Sequence, residues 1–186
     1  VNFIRKNQYR RLRSDMMSIR DDLLSDDVSV VSKGLDELDV RLRKKEDHAD
    51  LLDVLFVLSS SHVSEIVQKA SWCAGKMGQN KVGDERIISL LTGLSRCDDE
   101  QVRENVAWGI GETAGTVSVG DDAIATVSVL LDDDEKDVRG MAAWAAGRFH
   151  HKCDLMPDDI KAKLEFLLYD ASEYVRAAAK FALDDE

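Results

Sequence analysis

The sequence predicts an all-α protein, an alpha-alpha superhelix of about five antiparallel helical pairs with a period of 36–37 residues. Three observations carry this reading. Tryptophan occurs only at Trp72, Trp108 and Trp144, spaced by 36 residues each time, and a glycine (Gly75, Gly111, Gly147) and a leucine (Leu58, Leu94, Leu130) keep the same step. Self-similarity at this interval marks a solenoid of stacked units, because no single unit can bury its apolar face alone. No segment alternates apolar and polar residues long enough to argue a strand, although Val117 to Val119 forms a short β-prone connection.

Each unit supplies the same signals in order: acidic or polar residues before an apolar helix, a short polar turn, then a second helix that opens on a β-branched residue and ends near glycine. The first unit is degenerate, with helical patterns over Leu12 to Leu24 and Val28 to Leu42 and Asp36 standing at the tryptophan position. A terminal unit is expected to be atypical, since one of its sides faces water. In the second unit Leu51, Leu52, Leu55 and Leu58 form the first helix, Ser59 to Ser61 the turn, and Val63 to Met77 the second helix. The third runs from about Asp84 through Leu94, turns at Arg96 to Glu100, and returns from about Gln101 to Thr113. The fourth opens at Asp121-Asp122, turns at Asp132 to Asp137 and returns over Val138 to His150. The fifth opens at Pro157-Asp158-Asp159, where proline has no amide proton to leave unpaired, turns at Asp170 and returns over Tyr174 to Leu183. The whole of 1–186 thus reads as one solenoid domain, a basic and degenerate cap unit over 1–45 followed by regular repeats over 46–186.

At about 100° per residue, Val102, Val106, Gly109, Ile110 and Thr113 gather on one arc of the third unit's second helix and form its core side. Gly109 and Thr113 are small enough there to admit the paired helix. Trp108 falls about 145° from the centre of that arc, beside Asn105 and Glu112 on a face expected to be partly exposed. The equivalent sets are Lys69, Trp72 and Lys76 in the second unit and Met141, Trp144 and Arg148 in the fourth; Phe181 takes the ring position in the fifth. These residues form an expected aromatic ladder edged by charges that alternate basic, acidic, basic. Two readings of the ladder stand: rings lying across the groove between neighbouring second helices, or rigid anchors lining a concave binding face. A second regularity is acid and arginine: Asp98 precedes Arg103 by five residues, and Asp133 and Asp170 precede Arg139 and Arg176 by six. An arginine in the first turn of each second helix reaches the turn carboxylate of its own or the next unit.

The motifs Val102-Arg103 with Ala107-Trp108-Gly109-Ile110-Gly111, Val138-Arg139 with Ala142-Ala143-Trp144-Ala145-Ala146-Gly147, and Val175-Arg176-Ala177-Ala178-Ala179 resemble those of HEAT-like repeat proteins, particularly the short-repeat type named after phycobilisome lyases. Ala70-Ser71-Trp72-Cys73-Ala74-Gly75 is a weaker copy, and the resemblance covers about residues 50–186. It implies a non-catalytic scaffold or assembly adaptor that binds a protein partner, with bilin-lyase-like or other small-ligand handling as the enzymatic alternative. A metal-dependent hydroxylase built on such repeats holds iron with His-Glu pairs, and none of His48, His62, His150 and His151 is followed by Glu.

Composition narrows the functions further. A net charge of -11 disfavours phosphate backbones and anionic lipid. The charge is uneven, however: Arg5, Lys6, Arg10, Arg11 and Arg13 form a basic arm, while from Glu46 onward acids outnumber bases 28 to 14. Nucleic-acid binding through that arm and Lys44-Lys45 is the third functional reading, with the arm as a solvated helix its plainer counterpart. No apolar run reaches the roughly 20 residues that span a bilayer, and no signal-peptide core stands near residue 1, so no membrane insertion and a cytoplasmic location are expected. Cys73, Cys97 and Cys153 form no CxxC pair, in keeping with reduced thiols. His150, His151 and Cys153 are close enough in sequence for metal binding to be considered but form a helix-end segment without a second cluster, the Asp132 to Glu135 run lacks EF-hand spacing and its central glycine, and no phosphate loop follows a strand. No cofactor, metal or catalytic set is expected, and the candidate binding residues are Lys69, Trp72, Lys76, Asn105, Trp108, Glu112, Met141, Trp144, Arg148 and Phe181.

Overall fold

A computed structural model describes residues 19–184. After a helical stretch at 19–23 come α1 (Val28–Arg43), a 3-10 turn (Ala49–Leu51), α2 (Leu52–Ser59), α3 (Ser64–Gln79), α4 (Arg86–Gly93), α5 (Glu100–Thr113), α6 (Asp121–Leu130), α7 (Lys136–Cys153), α8 (Asp158–Leu167) and α9 (Glu173–Leu183). Paired in order, these are the five helical pairs of an all-α superhelix. The β-prone connection makes only a single bridge between Ala114 and Val117, and no strand forms among the described residues.

Capping sets the helix starts. Asp27 accepts the amide of Ser29 at 2.8 Å, and Asp99 accepts those of Gln101 and Val102 at 3.0 and 3.3 Å. Asp121-Asp122 and Asp158-Asp159 fill the first turns of α6 and α8, where carboxylates meet the positive end of the helix dipole. Pro157 stands one residue earlier than the helix proper, as the N-cap. At its far end α7 stops on Asp154 in the left-handed conformation (φ 51°), with the Leu155 amide returning to the Phe149 carbonyl.

The second helices α1, α3, α5, α7 and α9 stack on one another along their length, whereas the first helices α2, α4, α6 and α8 touch their neighbours lightly. The core lies between the layers and between units: Leu35, Leu38, Leu42, Leu55, Ile66, Met77, Leu91, Val106, Ile110, Val127, Phe149, Leu164 and Val175 are all buried. The predicted core arc of α5 is buried throughout. Gly109 is where two contacts converge, since a methyl group added there would lie 2.7 Å from Leu91 of the paired helix α4 and 2.9 Å from the Cα of Gly75 on α3. The last unit departs from the repeat in a telling way. The position filled by Ser71, Ala107 and Ala143, each fully buried against the next unit, becomes the exposed Lys180.

Candidate functional site

The rings are seated by glycines. A methyl group on Gly75 would fall 2.6 Å from the Trp108 ring, one on Gly111 2.6 Å from Trp144, and one on Gly147 2.6 Å from Phe181. The two 36-residue registers therefore form a single device: the glycine of each unit is the floor under the ring of the next. In the first unit that floor position holds Asp39, and the contact changes from van der Waals packing to a hydrogen bond in which Trp72 Nε1 donates to Asp39 Oδ1 at 2.7 Å. Trp72 then stacks on Trp108, with centroids 4.6 Å apart and planes 16° from parallel, a geometry worth about 1 kcal/mol beyond burial. Among the described residues this is the only stacked tryptophan pair. The expected ladder is thus broken beyond Trp108: Trp144 lies under the Arg148 guanidinium at 5.4 Å, and Phe181 tilts against His151 at 4.8 Å.

The charged edge is wired along the superhelix. Lys76 donates to Gln79, Gln79 Nε2 donates to Glu112 at 3.1 Å, and Arg148 approaches Glu112 at 3.7 Å. The alternation of basic, acidic and basic residues pairs neighbouring units rather than leaving free charges. On the opposite edge Lys69 meets Asp36 at 2.7 Å and Glu65 at 3.0 Å and donates to Ser32. Burial works against its charge, but these two carboxylates hold its pKa above the ordinary value.

Asn105 departs from the sequence expectation. It is only 6% exposed, and its amide donates to the Gln68 carbonyl and to Ser71 Oγ at 3.1 Å each. A wheel drawn for one helix places it beside Trp108; α3 then covers it. Lys69, Trp72, Lys76, Trp108, Glu112, Met141, Trp144 and Arg148 are half-buried, as a partly exposed face requires, and Phe181 is exposed.

Two open clefts flank Trp72. One, of about 350 Å³, lies between Leu35, Asp36, Asp39, Lys69 and Cys73; the other, of about 410 Å³, lies between Arg43, Lys76, Glu104, Trp108 and Met141. Trp72, Gln101 and Asn105 border both. Burial pushes the Cys73 thiol far up, with Asp39 and Asp36 adding to the shift, so it stays protonated. Among the described residues no three His, Cys, Asp or Glu side chains gather as metal ligands. His150 and His151 instead reach the carbonyls of Ala182 and Phe181 at 3.1 and 3.0 Å, at the end of α9. No described helix is long and apolar enough to cross a membrane. The basic arm Arg5, Lys6, Arg10, Arg11 and Arg13 lies outside the described residues.

The arginines are held by two units at once. Arg103 grips Asp133 with Nε at 2.7 Å and Nη2 at 3.0 Å, while its Nη1 donates to the Cys97 and Asp98 carbonyls of its own turn. Arg139 repeats this with Asp170 at 2.9 and 3.2 Å and the carbonyls of Asp133 and Asp134. The carboxylate comes from the following unit; the preceding turn contributes only its backbone. Arg176 makes the same carbonyl contacts, to Asp170 and Ala171, and has no carboxylate partner among the described residues.

Residues 87–184, more than half of the chain, match the family described as HEAT repeats. The chain belongs to the HEAT repeat family. No curated protein matches this HEAT repeat chain in sequence. Its fold is shared by a designed armadillo repeat protein in complex with the peptide (KR)4, at 17% identity and TM-score 0.67, covering 95% of this chain and 83% of that one. It is shared also by an engineered protein at 19% identity and TM-score 0.67, covering 91% and 78%. A computationally designed armadillo repeat protein for modular peptide recognition is similar at 18% identity and TM-score 0.62, covering 89% and 79%.

Proposed function

We propose that this HEAT repeat protein is a non-catalytic protein-binding scaffold or assembly adaptor of the short-repeat type, whose partner lies along the second-helix face. The observation that carries the reading is the pair of clefts sharing the half-buried Trp72 ring as a wall. Close packing among second helices beside light contact among first helices supports the second-helix layer as the concave side of this reading. Rings packed at their base and open at their edge give large contact area with little side-chain entropy to lose. That designed repeat proteins of this fold are made to take peptides supports a polypeptide as the guest. The glycine seats bear on the choice of variants: Trp108 and Trp144 are packed on Gly75 and Gly111, so Met141 and Trp72, which no glycine seats, are the probes, with the melting temperature of Trp72→Leu measured beside its affinity because Trp72 also bonds Asp39 and stacks on Trp108.

Peptides selected from a random display library against the full chain test this reading. Trp72→Leu and Met141→Glu should weaken the selected peptides at least tenfold. Val57→Glu and Phe166→Glu, which alter the exposed apolar row of the first helices, should change affinity less than twofold. Failure to enrich any peptide, or loss confined to the first-helix variants, overturns it.

A further inference from the structure

The smaller of the two clefts beside Trp72 has an apolar floor and a rim whose hydrogen-bond donors are largely committed. Leu35 and Cys73, both buried, and the Trp72 ring supply the floor. At the rim Lys69 donates to Asp36, Glu65 and Ser32, which accounts for all three ammonium protons. Trp72 Nε1 donates to Asp39, which also meets Arg43 at 2.7 Å. The charges of this cleft are therefore matched within the chain. Gln68 Nε2 donates to Asp99 at 2.7 Å and Gln101 Nε2 to Glu104 at 3.0 Å. Asn105 places both amide protons on α3, at the Gln68 carbonyl and Ser71 Oγ. Because that carbonyl can only accept, the nitrogen of Asn105 must face α3, which turns Oδ1 away from it toward the clefts. Nothing among the described residues donates to this oxygen, in a side chain only 6% exposed. A nearly buried carbonyl oxygen without a donor, beside an apolar floor, calls for a guest with an apolar body and one N–H.

Resting on the scaffold reading, we propose that this cleft receives an indole, the side chain of a tryptophan in the bound polypeptide, with its N–H donated to Asn105 Oδ1 and its rings against Leu35, Cys73 and Trp72. Indole has a donor and no acceptor, so it leaves nothing of its own unpaired at a rim with few donors to spare. A main-chain amide would bring a carbonyl along with its N–H, and a lysine or arginine head would meet carboxylates already paired with Lys69 and Arg43. Ring against ring adds edge-to-face or offset attraction to the burial.

The test titrates the isotope-labelled full chain with N-acetyltryptophanamide, its benzothienyl analogue, which keeps the shape but carries sulfur in place of the N–H, and the corresponding leucine and lysine amides, read by nuclear magnetic resonance. The tryptophan amide should shift the signals of Lys69, Cys73 and the Asn105 side chain, and the benzothienyl, leucine and lysine probes should each bind at least fivefold more weakly. In Asn105→Met, the residue that the next unit carries at this register, the tryptophan and benzothienyl probes should bind within twofold of one another. This is a ratio within one protein, so a loss of stability in the variant does not imitate it, and the wild-type comparison decides even where the variant fails to fold. No binding of the tryptophan amide, equal binding of its benzothienyl analogue to the wild type, tighter binding of the lysine amide, or a preference for the N–H that survives in folded Asn105→Met overturns the proposal. Display-selected peptides that lack tryptophan yet lose affinity with Trp72→Leu leave the scaffold reading standing and remove the indole pocket; a chain that enriches no peptide removes the scaffold reading, while the titration still decides the pocket.

Discussion

Gly111→Ala is the sharpest perturbation of the device that sets the repeat. The added methyl would lie 2.6 Å from the Trp144 ring, 3.0 Å from the Ala145 Cα and 3.1 Å from its Cβ. The ring can tilt, but a backbone atom on α7 moves only with its helix, so α5 and α7 must separate by several tenths of an ångström. Overpacking of this kind costs about 1–3 kcal/mol. Against it, alanine inside a helix gains about 1 kcal/mol over glycine, leaving a net loss of up to about 2 kcal/mol. Gly93→Ala is the internal control: Gly93 is also helical, nothing lies within 4 Å of its added methyl, and the same exchange should stabilise by about 0.5–1 kcal/mol. Urea unfolding followed by circular dichroism reads both. Tryptophan fluorescence reports the Trp144 environment, which also loses its fit beneath Arg148, whose Nε donates to the Gly111 carbonyl at 3.3 Å. A Gly111→Ala protein stabilised as much as Gly93→Ala, or a Gly93→Ala protein that loses as much as Gly111→Ala, refutes the account of glycine as ring seat.

Arg139→Leu should cost about 2 kcal/mol more than Arg176→Leu in the same unfolding assay, because only Arg139 leaves a nearly buried carboxylate unpaired; equal losses would show that the carbonyl contacts matter and the carboxylate does not. Acid should act through the same pairs. The Asp170 pKa is held low chiefly by the hydrogen bond from Arg139, and that of Asp133 is low because Arg103 and the Glu135 amide outweigh its burial. A depressed carboxylate stabilises the fold above the unfolded pKa of about 3.9 and loses that contribution as pH falls through the lower folded value. The stability gap between wild type and Asp170→Asn should therefore be full at pH 7 and close toward pH 2, and a gap that stays constant across this range would be the contrary result.

What could be read from the chain beforehand was whatever repeats within one helix. Apolar spacing at about 100° per residue located the five pairs and the core arc of α5, because both depend on neighbours three and four residues away. The same wheel misplaced Asn105, since its amide is buried by Gln68 and Ser71 of α3, 37 and 34 residues earlier, and a single-helix projection contains no other helix. The arginine register was visible but its partner was assigned more loosely: a spacing of six places Asp133 near Arg139, yet the carboxylate that Arg139 grips is Asp170, 31 residues on.

These misses share a cause that bears on the site itself. In a solenoid the specific contacts are between units, at separations of about one period, so they are legible only by comparing rows across repeats. Placed in rows, Gly75, Gly111 and Gly147 are preceded by Asp39, where a polar acceptor for Trp72 replaces the seat. At that end the ring contacts change character. Trp72 is tethered by its N–H to Asp39 and stacks on Trp108, and the two clefts open on either side of it. A departure from the repeat on a face otherwise built of identical seats is where the chain has room for something other than its own next unit.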